Sequence, residues 1–115
     1  MTELAERRCV ACEGGAEPLS AEQVGDLARQ VPAWTVREQT LVREITVKNF
    51  KAALALVNSI GAVAEQENHH PDIAITGWNH VKIELTTHAM GGLSENDFIL
   101  AAKITSLMDD AEKKS

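Results

Sequence analysis

The sequence lacks the features of several large protein classes. It has no cluster of basic residues, and 17 acidic against 11 basic side chains give a net charge of −6, which disfavours a nucleic-acid partner. Its opening residues, MTELAERR, carry no apolar signal segment, and its longest apolar run, AALALV, is far too short to cross a bilayer. We therefore predict a cytoplasmic protein that binds neither nucleic acid nor membrane.

Cysteine is also scarce, because the only two in the chain are Cys9 and Cys12 in the run CVAC. A redox pair of the thioredoxin type opens a helix after a strand, whereas here the loop-forming run EGGAEP follows. A structural zinc site needs two further ligands at recognisable spacing, and the histidines lie far along the chain. We favour a terminal loop with reduced thiols, and the redox and zinc interpretations stay open.

The length of 115 residues suits one domain with a single core. We predict an N-terminal loop segment over residues 1–18 and a single domain over residues 19–115. Ser20 and Gln23 have the spacing of a capping box, so a short helix is expected over residues 21–30. The runs AWTVREQ and LVREITV then predict two strands joined by a turn.

A change of period at Phe50 predicts a long helix that ends before Pro71. Its apolar stripe consists of Phe50, Ala53, Leu54, Val57, Ile60, Gly61 and Ala64. Two more strands follow, DIAIT and VKIELTTH, and the second alternates apolar and polar residues. Ser94 and Asp97 then form a second capping box at the start of the last helix.

The element order predicts an α+β fold with a short N-terminal helix followed by β-β-α-β-β-α. We expect two layers, in which a four-stranded antiparallel sheet carries the helices on one face. Four short strands leave open edges, and we expect Trp78 and isoleucine residues at exposed positions. A homodimer or homotetramer is therefore predicted.

The stretch EQENHHPDIAITGW, residues 65–78, contains two adjacent histidines before a proline. Neighbouring side chains diverge on a helix or strand, so they converge only where regular structure ends. Pro71 pushes His70 out of the helical region, which places the pair at a helix end. Glu65 and His69 are four residues apart, so we expect them to stack on one helix face if the long helix reaches that far. A carboxylate beside an imidazole raises the pKa of the imidazole or fixes its tautomer and orientation.

Other candidate residues lie further along the chain. His88 ends the last strand on its polar side, and Trp78 lies in a turn where an aromatic ring can line a pocket. Because His69 and His88 lie at element ends, we expect their replacement to leave the fold intact. Each candidate also has a plain structural interpretation: Glu65 as a solvated charge, His69 and His70 as a helix cap, His80 and His88 as surface residues, Trp78 as core packing and Asp97 as a helix cap. A metal site would need better spacing than the contiguous HHP offers.

Taken together, these residues follow the pattern E-x3-H-H-P-x6-W-x9-H-x8-D, which resembles the signature of the pterin-4a-carbinolamine dehydratase family. The residues are Glu65, His69, His70, Pro71, Trp78, His88 and Asp97. The resemblance implies a dehydratase that converts 4a-hydroxytetrahydropterin to quinonoid dihydropterin and water, recycling the cofactor of an aromatic amino acid hydroxylase. It also implies that no metal, flavin or nucleotide cofactor is needed.

By the same resemblance, His69 and His88 act as acids on opposite faces of the pterin. His70 binds the pterin and assists as base, and Glu65 orients the site. Pro71, Trp78 and Asp97 contribute to substrate binding. The alternative is a non-catalytic binding or assembly protein on the same fold, of the dimerisation-cofactor or Rubisco-assembly type, which would have no reason to keep three histidines.

Overall fold

The computed structural model describes residues 19–87 and 91–114, and side chains as far as Met108. Within these ranges the chain forms three helices and four strands. In chain order they are α1 (Ala21–Ala28), β1 (Thr35–Arg37), β2 (Thr40–Thr46), α2 (Phe50–Glu67), β3 (Asp72–Thr76), β4 (His80–Leu85) and α3 (Glu95–Lys114). The predicted loop segment 1–18, both cysteines and His88 lie outside the described residues.

The capping box predicted at the first helix is confirmed. The Ser20 hydroxyl accepts a hydrogen bond from the backbone of Gln23, whose side chain accepts one from the Ser20 backbone in return. The helix ends at Ala28 rather than residue 30, since the backbone tightens into turns before Pro32. The first strand is also shorter than AWTVREQ, because Trp34 lies in the core and Glu38, at φ 54°, forms the turn into β2.

The strands form one antiparallel sheet in the order β1-β2-β4-β3, which confirms the predicted sheet. The central pair joins Leu41 to Leu85 and Ile45 to Val81. Alternation along β4 buries Val81, Ile83 and Leu85 under the helices and turns His80, Lys82 and Glu84 to the other face. The architecture is therefore α+β, with the helices on one face of the sheet.

The core lies between this inner sheet face and helices α2 and α3. Its largest fully buried side chains include Leu41, Ile60, Ile83, Leu85, Phe98, Leu100 and Ile104. Burying one such side chain stabilises the fold by about 1.5–3 kcal/mol. At the end of α2, Glu67 is also buried, and its Oε2 lies 4.0 Å from the Nζ of Lys103 on α3.

Two residues of the predicted apolar stripe do not face the core. Phe50 and Leu54 are 50% and 44% exposed, whereas Ala53, Ile60 and Ala64 are buried. At 100° per residue, Leu54 lies about 120° around the helix from Ile60, outside the buried face. The expectation of exposed isoleucines is wrong as well, since Ile73 and Ile75 pack against the core. Trp78 is exposed, as expected.

The outer face of the sheet carries polar side chains, and in the described part of the chain no helix has both the length and the apolar character of a membrane span. On this face the Nε2 of His80 lies 3.0 Å from Oε1 of Glu44 on the neighbouring strand. The hydrogen bond to His80 is the main cause of a lowered pKa of Glu44. Desolvation opposes this lowering but is outweighed, and the charges of His80, Lys82 and Arg37 add to the lowering.

We predict that His80→Ala raises the pKa of Glu44 towards its ordinary value of 4.5. In the wild type the lowered pKa makes ionised Glu44 favour the folded state above the ordinary carboxyl range, and this contribution is lost as the pH falls through the lowered pKa. A ¹³C NMR titration of the Glu44 carboxyl measures the change. Lys82→Ala is the control and should produce a smaller rise. An unaltered Glu44 pKa in His80→Ala would contradict the assignment.

Candidate active site

The histidine pair follows the C-terminal end of α2, as predicted. Asn68 takes the left-handed conformation at φ 52° and ψ 41°, and its backbone N–H donates to the carbonyls of Ala64 and Glu65. Asparagine tolerates this conformation better than most residues with a side chain. The chain therefore leaves the helix at Asn68, one residue before His69 and well before Pro71.

His69 is held by a carboxylate from the start of α3. Its Nε2 lies 2.6 Å from Oδ1 of Asp97, and the two side chains are 12% and 0% exposed. A hydrogen bond to a buried charged group is worth more than one at the surface and fixes the ring orientation. This contact joins residues 28 positions apart, from two different helix ends.

The second oxygen of Asp97 is also fully engaged. Oδ2 accepts the Thr87 hydroxyl at 2.8 Å and the Ser94 backbone N–H at 2.9 Å. The Thr87 and Ser94 hydroxyls lie 2.7 Å apart. The bond from Ser94 N–H is the half of the predicted capping box that Asp97 contributes, so Asp97 caps α3 and orients His69 at once.

His70 has a different carboxylate partner. Its Nε2 forms a short contact with Oε2 of Glu65, and the two side chains are 56% and 78% exposed. The prediction that Glu65 stacks on His69 is therefore wrong. The left-handed Asn68 turns His69 towards α3, and His70 returns over the last turn of α2 to meet Glu65. The two imidazoles thus have separate partners, one buried and one exposed.

Of the remaining predicted residues, Pro71 lies beside the histidine pair, Trp78 does not, and His88 is outside the described residues. Pro71 directly precedes β3 and is half-buried, and His88 follows Thr87 outside the described residues. Trp78 lies in the β3–β4 turn at φ 64° and is 60% exposed, so it is not core packing. The five residues of β3 separate it from the histidine pair by about 17 Å at the usual rise per strand residue. A single chain therefore does not bring Trp78 to His69.

Sequence reasoning missed Thr87. Thr87 follows the alternation of Val81, Ile83 and Leu85, which face the core. A polar side chain at such a position predicts a buried hydrogen bond, and this pattern could have identified Thr87 from the sequence. Ser94 was identified as a helix cap, but the hydrogen bond of its hydroxyl to Thr87 was not foreseen. Among the described residues, no three His, Cys, Asp or Glu side chains are grouped closely enough to hold a metal ion.

The arrangement is suited to moving protons. Imidazole exchanges protons near neutral pH, and a carboxylate partner fixes which ring nitrogen takes part. Two adjacent imidazoles with separate carboxylates therefore give a substrate two proton-transfer groups at one helix end.

Comparison with known proteins identifies one family. Residues 17–107 match the family described as Pterin 4 alpha carbinolamine dehydratase. A Rubrobacter xylanophilus protein with the provisional name pterin-4-alpha-carbinolamine dehydratase is 48% identical over 108 residues, covering 93% of this chain and 100% of that protein. A protein of the same provisional name from Nitrosospira multiformis is 46% identical over 105 residues, covering 91% of this chain and 92% of that protein.

The fold has a counterpart among solved structures. A Brucella melitensis crystal structure, described as transcriptional coactivator/pterin dehydratase, matches with a TM-score of 0.73. The match covers 79% of this chain and 98% of that chain at 24% identity, so the likeness concerns the fold.

The burial of His69 changes the expectation that its replacement leaves the fold intact. We predict that His69→Ala lowers the free energy of unfolding by about 1–3 kcal/mol, because the buried Oδ1 of Asp97 loses its donor. The matched control is the exposed neighbour His70→Ala, which should cost no more than about 0.5 kcal/mol. Urea denaturation compares the two variants. Equal losses would mean that the contact with Asp97 does not stabilise the fold.

Proposed function

The chain belongs to the pterin 4 alpha carbinolamine dehydratase family, and from this membership we propose that it dehydrates 4a-hydroxytetrahydropterin to quinonoid dihydropterin. The family consists of hydro-lyases, enzymes that remove water from their substrates. In the proposed reaction the C4a–O bond breaks, the hydroxyl leaves as water after protonation, and N5 loses its proton as the C4a=N5 bond forms. The reaction is balanced without a metal, flavin or nucleotide.

The observation that carries this proposal is the pair of neighbouring imidazoles with separate carboxylate partners. Expulsion of hydroxide is slow near neutral pH, so an acid at the oxygen and a base at N5 both accelerate the step. Such acid–base assistance is worth roughly 10²–10⁴ in rate. We assign His69 and His88 as the acids on opposite faces of the pterin, and His70 as the pterin-binding residue that assists as base.

The contacts indicate separate roles for the carboxylates of Glu65 and Asp97. Glu65, in contact with His70, is proposed to orient that ring instead of His69. Asp97 is fully buried with three donors, which supports a role in orienting His69 more than direct substrate contact. Pro71 adjoins His70 and stays a proposed binding residue. A contact between Trp78 and pterin bound at His69 of the same chain has no support from the hairpin geometry.

The wider role of the reaction is a further part of the proposal. Quinonoid dihydropterin is the form from which a reduced pterin is regenerated, so the enzyme is proposed to recycle the cofactor of an aromatic amino acid hydroxylase. The cytoplasmic location expected from the sequence stays a prediction. A binding or assembly role on the same fold is the second candidate. It is favoured by the exposed Phe50, Leu54 and Trp78, and by the coactivator description of the Brucella melitensis protein.

We predict that replacing both proposed acids, His69→Gln with His88→Ala, lowers the dehydration rate by roughly two to four orders of magnitude. Glutamine at position 69 keeps an N–H donor for Asp97, so loss of activity is separated from loss of structure. The rate is followed spectroscopically against the uncatalysed reaction, with a thermal melt of each variant.

His80→Gln is the control for this experiment, because His80 lies on the outer face of the sheet, away from the site. It should retain the wild-type rate. A wild type no faster than the uncatalysed background would refute the enzyme proposal and favour the binding or assembly role.

We also propose that the chain forms a homodimer or homotetramer. Phe50 and Leu54 are large apolar side chains exposed on the same helix, and the edge strand β3 leaves backbone groups unpaired within the described chain. Light scattering at micromolar concentration should therefore give a mass of two or four times the 12.5 kDa of one chain.

The contribution of the helix face to this assembly is tested by Phe50→Ser with Leu54→Ser, which should lower the measured mass. Glu22→Ala, an exposed change on α1, is the control and should leave it unchanged. A wild-type mass of 12.5 kDa would show that the chain is a monomer.

A further inference from the structure

We propose that Thr87, supported by Ser94, is a positioning residue that holds His69 in the tautomer with its proton on Nε2. With Nε2–H directed to Asp97, Nδ1 is the ring nitrogen that exchanges a proton with the substrate. Acting as an acid, the doubly protonated ring gives up the Nδ1 proton and is left in this neutral tautomer. The inference rests on the proposed function for its catalytic consequence. The tautomer of His69 itself depends only on the hydrogen bonds around Asp97.

The direction of these hydrogen bonds follows from counting protons. A threonine hydroxyl has one proton, and Thr87 donates it to Oδ2 of Asp97 at 2.8 Å. The 2.7 Å contact between the two hydroxyls must then be donated by Ser94 and accepted by Thr87. The Thr87 hydroxyl proton therefore points to the carboxylate and the Ser94 hydroxyl proton points to Thr87. The Ser94 backbone N–H is the second donor to Oδ2, at 2.9 Å.

These donors determine whether Asp97 accepts a hydrogen bond from His69 or donates one to it. The two donors at Oδ2 favour the anion over the neutral acid, because hydrogen bonds to a charged acceptor are stronger than those to a neutral one. Oδ1 of Asp97, 2.6 Å from His69, consequently requires a proton on Nε2. If Asp97 carried the proton instead, it would donate to Nε2, and the neutral ring would hold its own proton on Nδ1.

Thr87 is well placed to exert this control. Its side chain is buried, and its backbone pairs with Gly92 through hydrogen bonds of 3.1 and 3.4 Å in both directions. A β-branched side chain on a fixed backbone has few rotamers, so the hydroxyl has little freedom to turn away from Asp97. Ser94 is also buried and directly precedes α3, so its hydroxyl is held in place beside Thr87.

The test uses Thr87→Val, which keeps the shape of the side chain and removes the hydroxyl. Long-range ¹H–¹⁵N NMR spectra of ¹⁵N-histidine-labelled protein report which nitrogen of His69 carries the proton. They are recorded without substrate at about pH 8.5, where an unperturbed imidazole is neutral. We expect the Nε2–H form in the wild type and a mixture with the Nδ1–H form in Thr87→Val.

The matched control is Thr87→Ser, which restores the hydroxyl and should restore the wild-type tautomer. In dehydration assays Thr87→Val should lower kcat by about tenfold or more, as for weakened acid–base assistance, with KM nearly unchanged. A role in packing alone would affect the melting temperature without moving the tautomer.

The outcomes are separable from those of the proposed function. A His69 that stays in the Nε2–H form in Thr87→Val, or that carries its proton on Nδ1 in the wild type, overturns the inference. The expected tautomers in a protein without dehydratase activity support the inference and refute the proposed function. If Thr87→Val does not fold, Thr87→Ala also removes the hydroxyl and places no methyl group against Asp97, and the presence or absence of the same tautomer shift in that variant decides the matter.

Discussion

The site depends on one buried carboxylate. Asp97 is fully buried, and it accepts hydrogen bonds from the segment after α2, from the segment after β4 and from the residue before α3. A buried charge without donors is costly, so these three segments have to meet for the fold to be stable. The same requirement sets the position of His69, so this proposed proton-transfer group is also part of the packing of the domain.

Most of the fold could be predicted from local patterns. The alternation in VKIELTTH identified the inner face of β4, and the Ser20 capping box identified the start of α1. The error at Phe50 and Leu54 arose because hydrophobicity alone does not define the core-facing side of a helix. The buried side of α2 is set by its packing against the sheet and α3, which is not visible in the helix sequence itself.

The residues of the candidate site could be proposed from the sequence, but their contacts were predicted less well. The order of Glu65, His69, His70 and Asp97 was sufficient to find the candidates, whereas their pairing depends on one backbone conformation at Asn68. Because Asn68 is left-handed, Glu65 contacts His70 and not His69, the partner expected from four-residue helix spacing. The contact of His69 with Asp97 is long-range, so only the folded structure could reveal it.

The unequal burial of the two histidine–carboxylate pairs bears on how related sequences are interpreted. A relative that has lost catalysis still needs a donor for its buried aspartate, so selection for folding alone can preserve the counterparts of His69 and Asp97. The exposed pair of His70 and Glu65 adds little to stability, and only function would preserve it. Retention of the exposed pair is therefore the better criterion for separating active enzymes from scaffolds in this family.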